Sequence, residues 1–394
     1  MLHRDRLKTI KRIYQKILLH DIVPFWIDFS LDRIHGGYYH YLDRDGSVLN
    51  HDKSVWLQNR SLWFFSKLYN EIENRDEWLE AADIGFSFIT DYCFDHDGRM
   101  FFTVDETGRK LRKRRYWFTE TFGVLGLCEY AKASGNSYAL ELAQRTYEKI
   151  VYLYQHPNEL SSKTFVENRS VRGLAPTMLL MSTTQVVRES GQETEKYNHV
   201  IDRCIEDIRT YFLKEELHAL LETVSYDGSI IDTPEGRTIN PGHSIETAWF
   251  LMQEGLYRGD TEVVSLGLAI LKWSFERGWD DTYGGIFSFV DIYNKPSEHV
   301  EWDMKYWWPH TETLYALLLA YITTEDESYL AKYEDIHVWT FKHFPDYEYG
   351  EWYGYLHRDG SIALPIKGSN WKGTFHIPRM LIQGMALIDK CLEK

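Results

Sequence analysis

Apolar positions recur along this chain at two spacings, and the two alternate. WLQNRSLWFFSKLYNEI (56–72), TETFGVLGLCEYAKA (119–133), HSIETAWFLMQEGLYRG (243–259) and HTETLYALLLAYITT (310–324) carry apolar residues at i, i+3, i+4 and i+7, the period of a helix packed along one face. The N-terminal stretch does the same with Leu7, Ile10, Ile13, Ile17 and Leu18. Between the helices lie short alternating runs bounded by turn residues, the pattern of small β-hairpins. They are GGYYHYLDRDGSVL (36–49), FDHDGRMFFTVDETGR (94–109), VSYDGSIIDTPEGR (224–237), YGGIFSFVD (283–291) and GEWYGYLHRDGSIAL (350–364). Successive runs start 58, 130, 59 and 67 residues apart, and a degenerate run near KTFVENRSV (163–171) fills the double gap to make six units. Each unit has room for about two helices, and self-similarity at such a period marks a repeat architecture. Six helix pairs that must bury their apolar faces predict an all-α toroid, an (α/α)6 barrel, with hairpins and helix starts gathered at one end around a cleft. No Pro/Gly/Ser tract or low-complexity stretch divides the chain, so a single domain over 1–394 is expected.

Composition changes this picture in only a few places. Aromatic residues reach 15%, with 14 Trp and 27 Tyr. Rings with an apolar body and a polar tip suit a sugar-binding cleft, and they also fill cores. The formal net charge of −15 sets a nucleic-acid partner aside. One basic run stands against that charge, RKLRKRR from Arg109 to Arg115. It reads either as a solvated hairpin edge or as a local site for a phosphate or other anion. Cys93, Cys128, Cys204 and Cys391 form no C-x-x-C pair, which fits reduced thiols in a cytoplasmic protein. The N-terminus lacks the apolar core and cleavage site of a signal peptide. No run of about 18 apolar residues exists, so no membrane span is expected.

The chemistry concentrates at helix starts. INPGHSIETAWF (239–250) places His243 and Glu246 three apart, on one face of a first turn. YWWPHTETLY (306–315) sets Trp308, His310 and Glu312 around Pro309, and NWKGTFHIPRML (370–381) sets His376 and Arg379 three apart. WLQNRSLW (56–63) holds Arg60 among aromatic residues. Singly, such histidines are more often hydrogen-bonded structural residues, the glutamates suit the positive end of a helix dipole, and the tryptophans fill core. Their recurrence at comparable places in successive repeats points to one shared cleft. The helical zinc motif H-E-x-x-H is missing, so no metal is expected, although two histidines meeting a glutamate would make a donor set. The sequence contains no phosphate-binding P-loop, no G-x-G-x-x-G and no G-x-S-x-G. Nucleotide-driven chemistry, hydride transfer and serine hydrolysis therefore lose support. Two imidazoles suit proton transfer at carbon, one removing a proton and the other returning one.

FWIDFSLDRIHGGYYHYLDRDG (25–46), VWLQNRSLWFFSKLYN (55–70), NPGHSIETAWFL (240–251), KYWWPHTETLYA (305–316), GEWYGYLHRDG (350–360) and KGSNWKGTFHIPRML (367–381) together resemble the N-acylglucosamine 2-epimerase family over nearly the whole chain. The resemblance implies an (α/α)6 barrel, often a homodimer, that interconverts the C2 epimers of a small-molecule sugar without a redox cofactor. In the founding case the sugars are N-acetylglucosamine and N-acetylmannosamine. It implies His243 and His376 as the acid/base pair and Arg60 as the group that stabilises an enediolate. Glu246 and Glu312 become cleft carboxylates that hold hydroxyls or orient the histidines. Trp308 frames the sugar, and His310 and Arg379 bind substrate or support groups that do. Some members use ATP as an allosteric activator that is not consumed; ENRSVRGLAPTMLLM (167–181) loosely resembles the segment associated with that effect. Relatives epimerise cellobiose or convert aldoses to ketoses, while WWPHTE and KGTFHIPR are closer to the N-acyl-sugar branch. Two readings from other classes stay open. One is a glycoside hydrolase on the same toroid, which needs two carboxyls flanking the bond. The other is a non-catalytic sugar-binding protein.

Overall fold

A computed structural model describes residues 2–114, 116–161, 165, 167–190 and 194–393. Among them thirteen α-helices run in chain order: α1 (Leu2–Ile17), α2 (Val23–Ser30), α3 (Val55–Glu71), α4 (Asp76–Tyr92), α5 (Phe118–Ser134), α6 (Ser137–Gln155), α7 (Leu174–Ser190), α8 (Thr194–Asp207), α9 (Pro241–Arg258), α10 (Thr261–Gly278), α11 (Trp307–Thr324), α12 (Glu327–His343) and α13 (His376–Glu393). The helices α3, α5, α7, α9, α11 and α13 each pack on the next, and α13 returns to α3, closing an inner ring. The helices α4, α6, α8, α10 and α12 each pack behind the inner helix before them, and α1 packs behind α13. The chain therefore forms the expected (α/α)6 barrel, with its two ends sharing one helix pair.

Sequence explains which helix goes where. The inner helices are apolar nearly all round, as their double contact requires. On α11, Leu314, Ala316, Leu317 and Leu318 are all fully buried. The outer helix α1 is amphipathic, burying Leu7, Ile10 and Tyr14 and exposing Arg4 and Asp5. Close approach of the inner helices requires glycine: a Cβ at Gly126 on α5 would stand 2.6 Å from the Asn59 carbonyl on α3. Asn136 and Asp260 cap α6 and α10 by accepting first-turn backbone N–H bonds, which fixes where those helices start.

The short strands differ from the expected set of local hairpins. Tyr41–Leu42 with Val48–Asn50, Thr103–Val104 with Lys110–Arg112, and Tyr355–Leu356 with Ile362–Leu364 are hairpins. The 224–237 stretch instead makes its turn, with Gly228 N–H donating to the Ser225 carbonyl (2.9 Å), while Thr223–Ser225 pairs with Val171–Gly173. Likewise Val290–Asp291 pairs with Thr238–Ile239. These strands bond to the neighbouring repeat in place of a local partner. The degenerate run 163–171 lies partly outside the described residues. Of the basic run, Lys110–Arg112 forms a hairpin edge, Arg109 pairs with Asp105 and Lys113 with Asp95 and Asp97, and Arg115 lies outside the described residues.

A layer of loops carries the inner helix starts. Three of them, Asp32–Gly37, Asp280–Gly285 and Asp346–Glu351, are built alike. The Asp carbonyl accepts from Gly36, Gly284 or Gly350 N–H (3.0, 2.7 and 2.9 Å). The Asp carboxylate meets a buried lysine: Lys53 with Asp32 at 2.6 Å, Lys305 with Asp280 at 3.1 Å, and Lys367 with Asp346 at 2.9 Å. Each lysine lies ahead of an inner helix, so the ion pairs lock the loop layer to the start of α3, α11 or α13.

Candidate active site

The first turn of α9 is set by Asn240, whose side chain accepts from His243 N–H (3.1 Å), and by Pro241 at the helix start. Gly242 follows because the Trp308 indole lies over this turn; a Cβ there would collide with the ring. The ring of Trp308, in the first turn of α11, is 5.2 Å from that of His243 and 5.7 Å from that of His376 at the start of α13. Three inner helices thus bring two imidazoles against one indole.

Each imidazole has a carboxylate on Nδ1. His376 Nδ1 is 2.8 Å from Glu312 Oε1, and His243 Nδ1 is 3.1 and 3.0 Å from the two oxygens of Glu222. With Nδ1–H donating to the carboxylate, the Nε2 atom of each ring is the one left for proton exchange. The Glu312 carboxylate also accepts from Trp249 Nε1 (2.9 Å) and lies 2.7 Å from Arg379 Nη2. Arg379 bonds Glu246 as well, so a single guanidinium joins the two glutamates. Atoms of Glu246, Glu312 and His376 approach within 4.8 Å of one another, a donor set of the kind that metals use. The positive charge between the two carboxylates is that of Arg379.

Arg60 has a different setting. It is 5% exposed, and its guanidinium lies over the rings of Phe122, Phe375 and Trp56 at 4.0, 4.7 and 4.9 Å. Among the described residues its guanidinium makes one long hydrogen bond (3.5 Å), to the Trp371 carbonyl, and its buried Nε has no partner. A buried cation held by ring faces and not by a carboxylate keeps its hydrogen-bonding capacity for another anion.

Charge and burial separate the two histidines. Burial pulls His243 down, but the charge and hydrogen bond of Glu222, with Glu246 behind, carry it above its ordinary value. His376 is held well below its ordinary value, by burial first and then by the guanidiniums of Arg60 and Arg379. Burial, with the Arg379 charge added, also lowers Arg60 well below its usual range.

The structure brings together His243, Glu246, Trp308, Glu312, His376 and Arg379, with Arg60 linked to them through Phe375. It takes His310 elsewhere. That ring is fully buried; Nδ1 is 2.6 Å from the Tyr306 carbonyl and Nε2 accepts from Ile286 N–H at 3.0 Å. It stacks on Trp339, and burial drives its pKa down to about 3. With both nitrogens engaged by backbone, His310 supports the Asp280–Gly285 loop and not a ligand. The reason is helical phase: residues two apart point to opposite faces, so with Glu312 in the cleft His310 faces away. Glu222 and Trp249 are missing from the sequence-based set. Trp249 is three residues beyond Glu246 on the same helix face. A lone acid inside the apolar run ALLETV was the signal for Glu222.

A toroid of helix pairs with two carboxylate-backed imidazoles at one mouth is the frame of an acid/base enzyme acting on a small polar molecule. The sequence profile of the N-acylglucosamine 2-epimerase (GlcNAc 2-epimerase) family matches residues 37–377. N-acylglucosamine 2-epimerase of Mus musculus is 34% identical over 391 residues, covering 98% of this chain and 93% of that one. Cellobiose 2-epimerase of Eubacterium cellulosolvens is 24% identical over 405 residues, covering 94% and 97%. The solved structure of cellobiose 2-epimerase from Bacillus thermoamylovorans B4167 superposes with a TM-score of 0.84 at 22% identity, covering 96% of this chain and 99% of that one. The chain belongs to the N-acylglucosamine 2-epimerase family. It is an isomerase, a carbohydrate 2-epimerase. No helix among the described residues is long and apolar enough to cross a membrane.

Proposed function

We propose that this protein interconverts N-acetylglucosamine and N-acetylmannosamine at C2, with His243 and His376 as the acid/base pair. The observation that carries the reading is the pair of imidazoles packed on one indole, each with Nδ1 on a glutamate and Nε2 left for the substrate. The open-chain sugar presents its C2 proton to one neutral imidazole. As the C–H bond breaks, negative charge develops on the C1 oxygen, where the uncommitted Arg60 guanidinium stabilises it. The other imidazole, protonated, delivers a proton to the opposite face of C2. One C–H bond breaks and one forms, so no electrons leave the sugar. Glu312 orients His376, Arg379 holds Glu246 and Glu312 in place, and Trp308 closes the cleft against water.

The N-acyl sugar is favoured over cellobiose because the relatives bearing the N-acyl-sugar name match at higher identity over a similar span. Glycoside hydrolysis finds little support here: Glu246 and Glu312 share Arg379, and Glu222 is bonded to His243, so none of these three carboxyls among the described residues is free. We extend the same reading to one catalytic domain over 1–394, a homodimer in the cytoplasm, with ATP as an activator that is not consumed.

Proton NMR of the purified protein with N-acetylmannosamine in D2O, with and without ATP, tests this. The expected result is N-acetylglucosamine carrying deuterium at C2. A ketose product would move the protein to aldose–ketose isomerisation. Turnover of cellobiose alone would move it to the disaccharide branch, and no turnover of any sugar would favour a binding protein.

A further inference from the structure

The three carboxylates of the cleft are not neutralised alike. Glu246 and Glu312 both lie on the Arg379 guanidinium, and Glu312 also accepts from Trp249. Glu222 meets no lysine or arginine among the described residues; both of its oxygens are on His243 Nδ1. Its backbone is held from two sides. Glu222 N–H donates to the Thr238 carbonyl (3.2 Å), and its own carbonyl accepts from Leu174 N–H (2.9 Å) at the start of α7. Leu220 and Leu221, just before it, are buried. The glutamate is thus fixed on the loop layer and reaches across 21 residues to a helix it does not belong to.

We propose that Glu222 is a positioning residue that makes His243 the proton-bearing member of the resting pair and leaves His376 as the neutral base. The inference rests on the epimerase reading above and deepens it. The charged groups that face each ring decide it. Around His243 stand Glu222 from the loop layer, Glu246 from its own helix, and His376 beyond the shared indole. Around His376 stand Glu312 and Glu246, both bonded to Arg379, the two guanidiniums of Arg60 and Arg379, and His243 beyond the indole. A proton placed on His243 neutralises a carboxylate that has no other cation. A proton placed on His376 adds positive charge to a cluster whose two carboxylates are already matched by two guanidiniums. The opposite pKa directions of the two rings agree with this geometry.

The consequence is a direction of travel. In the resting enzyme His376 Nε2 takes the C2 proton, and His243 Nε2–H gives its proton to the other face of the enediolate. One C–H bond is broken and one made. The pair is left with its proton on His376, which passes it to solvent while His243 regains one beside Glu222. The epimer whose C2 hydrogen faces His376 is therefore the one that the resting enzyme accepts.

Glu222→Gln removes the charge and keeps an oxygen that accepts from Nδ1–H. The basic limb of the kcat/KM profile reports the acid of the free enzyme. It is expected to move down by about one pH unit or more, the usual effect of losing an adjacent opposite charge. At pH 8 kcat/KM then falls about tenfold or more, with recovery toward wild type at pH 6. The 15N shifts of His243 should titrate with the same displacement, and Glu222→Asp, which keeps the charge, should hold the limb near its original place. In a His243→Asn background Glu222→Gln should cost nothing further. A basic limb that stays put in Glu222→Gln, or a loss that adds to that of His243→Asn, would overturn the proposal. If Glu222→Gln fails to fold, the 15N titration of His243 in the wild type decides: a midpoint no higher than that of a histidine in an unfolded peptide overturns it. If the wild type turns over no sugar, the epimerase reading fails, and the same titration still reports on Glu222.

Discussion

The cleft floor and the loop layer behind it both bury charge, and they do so in opposite ways. In the loop layer each buried lysine reaches an aspartate, and the pair at Lys53 is closed. Lys53 Nζ reaches Asp32 at 2.6 Å and also donates to the carbonyls of Gly36 (2.6 Å) and Glu106 (2.9 Å), which uses all three of its N–H groups. Asp32 in turn accepts from the backbone of Ile34 and His35. His310 belongs to this layer, with both nitrogens spent on backbone. In the cleft floor the bonds are left open: among the described residues Arg60 lies against rings with its Nε unpaired, and the two imidazoles keep Nε2 uncommitted. Saturated charge fixes a loop. Unsaturated charge, held rigidly by that loop, is what a substrate can use.

The largest effect should come from exchanging one histidine in each region. His376→Asn removes a proton-transfer group and is expected to lower kcat by about 10²–10⁴-fold with a near-unchanged melting temperature. His310→Asn should do the reverse, keeping kcat in the folded fraction while lowering the melting temperature. Steady-state assay and thermal denaturation of both proteins check this together. A His310→Asn protein that stays stable and loses turnover would return His310 to the cleft and break the comparison.

A cation from each region sharpens it. Arg60→Met is expected to reduce kcat by about 10²–10³-fold, as for loss of one oxyanion donor. Lys53→Met leaves Asp32 buried without its partner and is expected to cost about 3–5 kcal/mol of stability, read as a shift of the urea midpoint. Its turnover per folded molecule should stay close to wild type. If Lys53→Met instead lost turnover at full stability, the loop layer would be part of the chemistry and not its support.

How much of this was legible beforehand follows the same division. The inner helices could be read because a helix covered on both sides is apolar nearly all round, and α3, α5, α9 and α11 were found within three residues at each end. The cleft residues on those helices share a phase: Trp308 and Glu312 are four apart, and His243 and Glu246, like His376 and Arg379, are three apart. His310 misled because proximity in sequence to Glu312 was read without that phase. Glu222 was missed because it acts from a loop, where no periodicity marks which residue points inward. Strand pairing between repeats was missed for a related reason, since strands this short carry too little pattern to mark whether the partner is local or in the next repeat.

The smallest effect is a pH slope, and it isolates the closed region. Burial holds His310 and His40 at about 3 in the folded protein. An unfolded histidine takes up its proton near 6.5. Between these values the unfolded chain binds more protons, so stability rises with pH. The contribution of each ring is complete above about 6.5 and is lost progressively as the pH falls toward 3. His376 has the same sign, while His243, held above its ordinary value, has the opposite one and favours the folded state at lower pH. Carboxylates with depressed values, such as Asp280 at about 2, titrate below pH 5.5 in both states, while Asp21, pushed up to about 6 by burial, joins His243 in favouring the folded state at lower pH. Urea unfolding at pH 7.0, 6.0 and 5.5 should therefore show stability falling with acid, by up to about 1.4 kcal/mol per pH unit for each buried neutral histidine. His310→Asn should be less stable at pH 7.0 and lose one ring's share of the slope. If the mutant and wild-type slopes coincided, His310 would have to bind its proton equally in both states, against its burial and the Ile286 N–H aimed at Nε2, and the assignment of His310 to the closed region would fail.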